Sequence, residues 1–249
     1  MYKERRQASA NTPQGWTENF RGGFSRLPRI RAAQLVGDPV WAAIRSRVPR
    51  GATVLDAGSG LGEWIDLLTR EGYQGVGVDY SEDMIALMQR ERPGPRWIAS
   101  DIRAIPLPDA SVDAVVSWGV VEHEEAGPSA ALREFARLLR PDGWAFVTVP
   151  RDTPQQRASS RAQFGEGEGE FFQYFMRNEE LGAYMTEAGF ALDLLIPIHP
   201  HYAVLHPELY GRVERMPALL RRVANRALNQ YARLTPEACG MVLAVGRKL

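Results

Sequence analysis

Three acids and a histidine stand at places in this chain where residues of their type do chemistry. Asp56 opens a run with glycine at every second position, Asp56-Ala57-Gly58-Ser59-Gly60-Leu61-Gly62. Asp79 lies about twenty residues beyond the glycine loop, the spacing at which an acid takes ribose hydroxyls in nucleotide-binding α/β units. Asp101 and His123 follow two further apolar runs. A carboxylate grips a pair of hydroxyls through two charge-assisted hydrogen bonds. Glycines let a ligand approach the main chain, and a strand–loop–helix turn leaves its N–H groups free to donate. Histidine, which titrates near neutral pH, is the side chain best suited to take a proton from an acceptor.

The loop also narrows the ligand. A dinucleotide fingerprint needs a small residue at its third place, and Glu63 stands there. Asp56 at the strand end is a poor neighbour for a pyrophosphate and a good one for an ammonium group. S-adenosylmethionine carries an α-amino group, a positive sulfonium and no phosphate, so D-x-G-x-G-x-G suits it better. A glycine loop alone also serves as a tight strand–helix turn with no ligand.

The elements that must position these residues follow in order. An apolar strand over 53–55 leads into the loop, and a helix over 63–71 ends at Gly72. A strand over 75–79 and a helix over 81–91 come next, with Met84 on the helix as core or adenine contact. A third strand covers 96–99, with Asp101 past its end to accept from an adenine amino group and Ile102 to cover the ring. A fourth runs 112–118, a helix 129–140 is stopped by Pro141-Asp142-Gly143, and a fifth strand runs 144–149. This alternation predicts a parallel, doubly wound α/β sheet. Its crossovers are right-handed, so Asp56, Asp79, Asp101 and Trp118 fall on one edge, at the strand C-termini where ligands bind.

With the order and spacing in place, the chain resembles the class I S-adenosylmethionine-dependent methyltransferases, in the branch that methylates small molecules (type 11-like). Val54 to Gly62 resembles the family's motif I, Gly77-Val78-Asp79-Tyr80-Ser81 its acidic second motif, and Asp101-Ile102 with Pro106-Leu107-Pro108 its next loop. Ser111 to Ser117 is similar to its F-D-x-V-x-S strand, with valine in place of phenylalanine. Val120-Val121-Glu122-His123 and Leu138 to Trp144 are similar to its following segments. The resemblance covers roughly residues 50–150. It implies a Rossmann-like, mostly parallel seven-stranded sheet with an antiparallel last strand. Asn178 would cap a helix to Ala188, Phe190–Ile198 would be strand six, and 239–245 strand seven. It implies S-adenosyl-L-methionine held by Asp56, Gly58, Ser59, Gly60, Gly62, Asp79, Tyr80, Met84, Asp101, Ile102, Ser117 and Trp118.

The 249 residues, 45% hydrophobic, suffice for a single methyltransferase domain. Residues 1–48 are expected as a helical extension, 50–150 as the cofactor-binding core, and 151–177 and 199–237 as substrate-side insertions with irregular structure. Trp16, Phe20 and Phe24 mark a helix face that packs on the domain or flaps over the site. Zero net charge gives no reason to expect nucleic acid or an anionic membrane. Cys239 alone excludes an internal disulfide and any cysteine-based metal cluster. The polar start and the lack of a long apolar run lead to the expectation of a cytoplasmic protein, monomer or homodimer. Tyr174 is the best candidate in 151–177 to face a substrate. His199, His201 and His206 lack an acidic partner at metal-ligand spacing, so no metal is expected. The arginines from Arg212 to Arg233 read as a solvated face or as a site for an anionic group.

The expected reaction is in-line methyl transfer to a small-molecule oxygen, nitrogen or carbon, with His123 as general base or as a residue bordering the cofactor. The rivals are a non-catalytic relative acting as a cofactor-binding or partner subunit, and a nicotinamide-dependent oxidoreductase. Glu63 and the lack of a Tyr-x-x-x-Lys pair oppose the latter.

Overall fold

A computed structural model describes residues 1–6, 11–21, 35, 37–164, 169–199, 217, 220, 223, 227 and 239–249. Phe24, His201, His206 and the six arginines between 212 and 233 lie outside the described residues, as do the side chain of Phe20 and Gly165–Glu168.

The strands are β1 (Tyr2–Arg6), β2 (Thr53–Ala57), β3 (Gln74–Asp79), β4 (Arg96–Ala99), β5 (Val112–Trp118), β6 (Leu139–Pro150), β7 (Glu170–Phe175), β8 (Phe190–Ile198) and β9 (Met241–Lys248). The helices are α1 (Pro13–Arg21), α2 (Pro39–Arg47), α3 (Glu63–Arg70), α4 (Glu82–Glu91), α5 (Ser129–Leu138), α6 (Pro154–Phe164) and α7 (Asn178–Glu187). Seven strands form one sheet in the order β4-β3-β2-β5-β6-β9-β8. Neighbours from β4 to β6 pair in parallel, while β9 runs antiparallel to both β6 and β8. The expected doubly wound, seven-stranded Rossmann-like sheet is the observed one.

Continuous apolar runs suit strands covered on both faces. Ala114, Val115 and Val116 of β5 are all but fully buried. One face packs Ala114, Val116 and Phe146 against Ile44, Ile65 and Leu68, and the other packs Leu55, Val115 and Val147 against Phe135, Leu138 and Leu181.

Several boundaries differ from the sequence reading: the last strand, expected over 239–245, runs Met241–Lys248, and two other differences have a local cause. Helix α5 ends at Leu138, and β6 is already extended at Leu139, which pairs with Val112. Pro141 disfavours helical backbone at Arg140, so the chain straightens before the proline rather than at it. At α7 the N-cap is Arg177, not Asn178, and the Glu180 side chain accepts from the Arg177 backbone N–H at 2.9 Å. Residues 1–6 are also a strand rather than part of a helical extension. β1 pairs antiparallel with β7 in a separate two-stranded sheet.

Candidate functional site

The glycine loop is folded back onto β3. Gly58 and Ser59 N–H both donate to Val78 O at 2.8 Å, and Gly62 N–H donates to Ser59 O at 2.7 Å. These donors are therefore spent inside the loop, not left free for a ligand. What the glycines supply is closeness. Gly58 has φ +89°, and a Cβ there would collide with the Val120 side chain; Gly62, at φ +68°, would collide with Trp97 and Arg92.

Asp79 closes the loop from β3. Its Oδ2 accepts from Gly60 N–H at 2.9 Å and its Oδ1 from Ser81 N–H at 3.0 Å. Burial pushes its carboxyl above the usual range, while backbone N–H groups of Ser81, Gly60 and Tyr80 pull it back. Ser81 caps α4 by accepting from Met84 N–H and shares a 2.8 Å hydrogen bond with Thr17, which ties α1 to the site.

These groups surround a cavity of about 320 Å³ at the C-terminal edge of the sheet, within the ordinary span of small-molecule sites. Of the residues singled out from sequence, Gly58, Gly60, Asp79, Tyr80, Met84, Asp101, Ile102, Trp118 and His123 line it. Asp56, Ser59, Gly62, Ser117 and Tyr174 do not. Asp56 is buried beneath the loop, and burial, with Glu63 and Asp79 adding repulsion, holds its carboxyl well above the usual range. Ser59 and Ser117 are buried, and Gly62 precedes α3 as its N-cap. The Tyr174 hydroxyl donates to Glu125 O at 2.9 Å.

Asp101 is at the rim but engaged. Arg103 donates to Oδ1 from its backbone N–H at 2.8 Å and from Nε at 2.9 Å, and to Oδ2 from its guanidinium. These bonds hold the Asp101 carboxyl below the usual range. Arg103 also reaches Glu124 at 2.6 Å, so a carboxylate–guanidinium–carboxylate bridge links the loops after β4 and β5.

His123 ends a single 3-10 turn, Val121–His123, that follows β5. Its Nδ1 lies 2.8 Å from Phe172 O, a carbonyl that only accepts, so Nδ1 carries the hydrogen and Nε2 the lone pair. The edges of Trp16 and Phe172 box the ring at centroid distances of 4.8 and 4.9 Å. Burial pushes the imidazole down to about 4, with the Phe172 hydrogen bond opposing and Arg6 adding to the fall. His123 is therefore neutral at physiological pH, not poised near 7 as its type alone suggested.

Sequence reasoning missed Asn11, Arg103, Gly119, Val120 and Glu124 as lining residues. Asn11 donates to His123 O at 2.8 Å and accepts from Trp16 Nε1 at 3.2 Å. No local signal marks it, because its partner stands 112 residues away. Trp16 did carry a signal in its aromatic spacing, and it reaches the cavity wall. Behind the cavity, Trp118 packs between Trp64 and His199, and the His199 imidazole pairs with Asp38 at 2.7 Å. Among the described residues no group of three or more histidine, cysteine or acidic side chains is placed to hold a metal ion.

Residues 55–147 match the methyltransferase domain family. A Mycobacterium tuberculosis protein named as a probable S-adenosylmethionine-dependent methyltransferase is 38% identical over 111 residues, which is 41% of this chain and 39% of that protein. A tRNA (carboxymethyluridine(34)-5-O)-methyltransferase of Macaca fascicularis is 36% identical over 104 residues, 41% of this chain and 15% of that protein. The chain thus spans less than half the length of either curated relative. Among solved structures, the Burkholderia thailandensis 1,6-didemethyltoxoflavin-N1-methyltransferase, bound to 1,6-didemethyltoxoflavin and S-adenosylhomocysteine, superposes with a TM-score of 0.60. It is 17% identical, and the match covers 96% of this chain and 88% of that one. At that identity the likeness speaks for the fold. The match to the methyltransferase domain family thus falls on the segment that carries β3 to β5, most of β2 and β6, and the strand-end acids.

Proposed function

We propose that the protein transfers a methyl group from S-adenosyl-L-methionine to a small-molecule acceptor. The observation that carries this reading is Asp79, 8% exposed, fixed by two backbone N–H groups at the wall of the cavity. A carboxylate has about four acceptor positions. Main-chain N–H groups of Gly60, Ser81 and Tyr80 take up part of that capacity, and what remains at the cavity wall can receive ribose hydroxyls. The residues fit the rest of the cofactor as well. Gly58 lines the cavity with its main chain pressed against Val120, and Met84, Ile102 and Trp118 give the cavity apolar walls for an adenine ring and a methionine chain.

When bound, the cofactor supplies a methyl group already activated by positive sulfur. The chain's own task is then alignment, which can supply ~7–11 kcal/mol of the barrier. Asn11 and Trp16 reach His123 from the N-terminal segment, and the Phe172 carbonyl fixes its tautomer with Nε2 as acceptor. A histidine held neutral orients an acceptor hydroxyl or amine by accepting its hydrogen. As a base it is weak, so acceptors that ionise readily suit this site best.

A small acceptor is favoured over nucleic acid by charge. At the cavity Asp101 and Glu124 share a single cation, Arg103, which leaves that trio one negative charge in excess, and the chain has no net charge. Phosphate backbones select the opposite sign. The test is a methyl-transfer screen with labelled cofactor against hydroxyl, amine and carbon acceptors and against bulk tRNA. Label in small acceptors alone is expected; label in tRNA alone would overturn the acceptor class.

A further inference from the structure

Glu122 sits in the turn between β5 and His123, and its side chain is 1% exposed. Its Oε2 is buried and has no hydrogen-bond partner among the described residues. Its Oε1 lies against Gly119, 3.4 Å from where a Cβ would stand, and Gly119, at φ +62°, lines the cavity. The carboxyl is thus packed behind the cavity wall next to the residue that ends the turn out of β5.

Burial holds this carboxyl in its neutral form, pushing it up to about 8, and only its own backbone N–H pulls it back. Among the described residues no charged neighbour offsets it. On the same turn His123 is neutral, and the following Glu124 is paired with Arg103. On β7, the titratable groups are Glu170 and Tyr174, and the Tyr174 hydroxyl points to Glu125 O. On β6 they are Arg140 and Asp142, paired with Asp113 and Arg247, with Arg151 just beyond the strand. On neighbouring β2, burial pushes the Asp56 carboxyl well above the usual range. A buried acid with an unused oxygen is costly as an anion unless a cation arrives.

The methyl donor brings one. Its sulfonium is a fixed positive charge, and the product's thioether is neutral, while both carry the same amino-acid group. We infer that Glu122 is a charge-matched partner of the methyl donor: protonated in the empty protein, it releases its proton when a sulfonium-bearing ligand occupies the cavity beside Gly119, and it stays protonated under the product. This rests on the cofactor reading above. It gives the site a means of preferring donor to product, with the proton passing to solvent.

The test is calorimetric titration of the full chain with S-adenosylmethionine and with S-adenosylhomocysteine at pH 6, 7 and 8, in buffers of different ionisation enthalpy. The donor-to-product affinity ratio is expected to rise by up to ~10-fold per pH unit below pH 8. Donor binding should release up to about one proton more than product binding does. In Glu122→Gln the ratio should lose its pH dependence while product affinity stays within about twofold of wild type, since a neutral carboxyl and an amide are alike in charge; retained product binding also reports an intact fold. A ratio that is constant with pH in the wild type overturns the inference. So does a slope that survives in Glu122→Gln and vanishes in Asp56→Asn. Failure of both ligands to bind at any pH would instead remove the cofactor reading, and the inference with it.

Discussion

Asp79 holds the site together and is aimed at its ligand by the same bonds. The N–H groups of Gly60 and Ser81 fix its oxygens, so the carboxylate is placed before any ligand arrives. Replacing it with alanine removes both the hydroxyl grip and the loop's anchor. Asp79→Ala should weaken S-adenosylhomocysteine binding by about 10- to 100-fold, the worth of one or two charge-assisted hydrogen bonds. Unchanged affinity in titration would remove the ribose assignment. For His123 the expected observable is an NMR titration with a midpoint near 4 and Nδ1 protonated throughout the neutral range. His123→Ala should slow turnover while sparing cofactor affinity; normal turnover on the true acceptor would leave the ring a wall residue. Asp79 was legible in sequence because it ends an apolar run at a fixed distance from the glycine loop. The state of His123 was not, because it depends on Trp16 and Phe172, brought in from both sides along the chain. Glu122 was equally hidden: nothing local distinguishes a buried carboxyl from an exposed one.

At the scale of elements, the cofactor-binding core was readable and the cap beside it was not. The alternation of apolar runs and amphipathic helices located β2 to β6 within a few residues, since strands buried on both faces need continuous apolar sequence. β1 has no such pattern, for Tyr2-Lys3-Glu4-Arg5-Arg6 is mostly charged. It becomes a strand only because β7 offers it a partner. Glu4 secures that pairing. It is 3% exposed, its Oε1 accepts from Ser160 Oγ at 2.7 Å, and its Oε2 accepts from Gln173 Nε2 and, at 3.4 Å, from Arg6. Arg6 in turn lies 3.6 Å over the Phe172 ring, whose residue holds His123. Glu4→Ala strands three polar partners and should cost about 2–3 kcal/mol. Denaturant unfolding measures the loss, and a change below ~0.5 kcal/mol would show the network to be incidental.

For the whole molecule, two buried groups on one turn pull stability in opposite directions with pH. Glu122 has a folded value of about 8 against about 4.3 when unfolded. Its native state keeps a proton that the unfolded chain has lost, so stability falls as pH rises through that window. His123, at about 4 against about 6.5, contributes stability that is full above 6.5 and is lost as pH falls toward 4. Above pH 6.5 only Glu122 of the pair acts. The melting temperature of the wild type should therefore fall by a few degrees more between pH 6.5 and 8 than that of Glu122→Gln. Parallel declines in thermal scans would show the carboxyl to be already ionised. Asp56 and Asp79 pull in the same direction as Glu122 and remain in the variant, which is why the difference between the two proteins is the readout.

The role of the whole molecule turns on what its cavity binds. Calorimetric titration of the purified chain with S-adenosylmethionine, S-adenosylhomocysteine and NAD tests that most directly. Micromolar binding of the first two, weakened about 10- to 100-fold in Asp79→Ala, with no heat from NAD, is the predicted result. Binding of NAD without either sulfur ligand would contradict it.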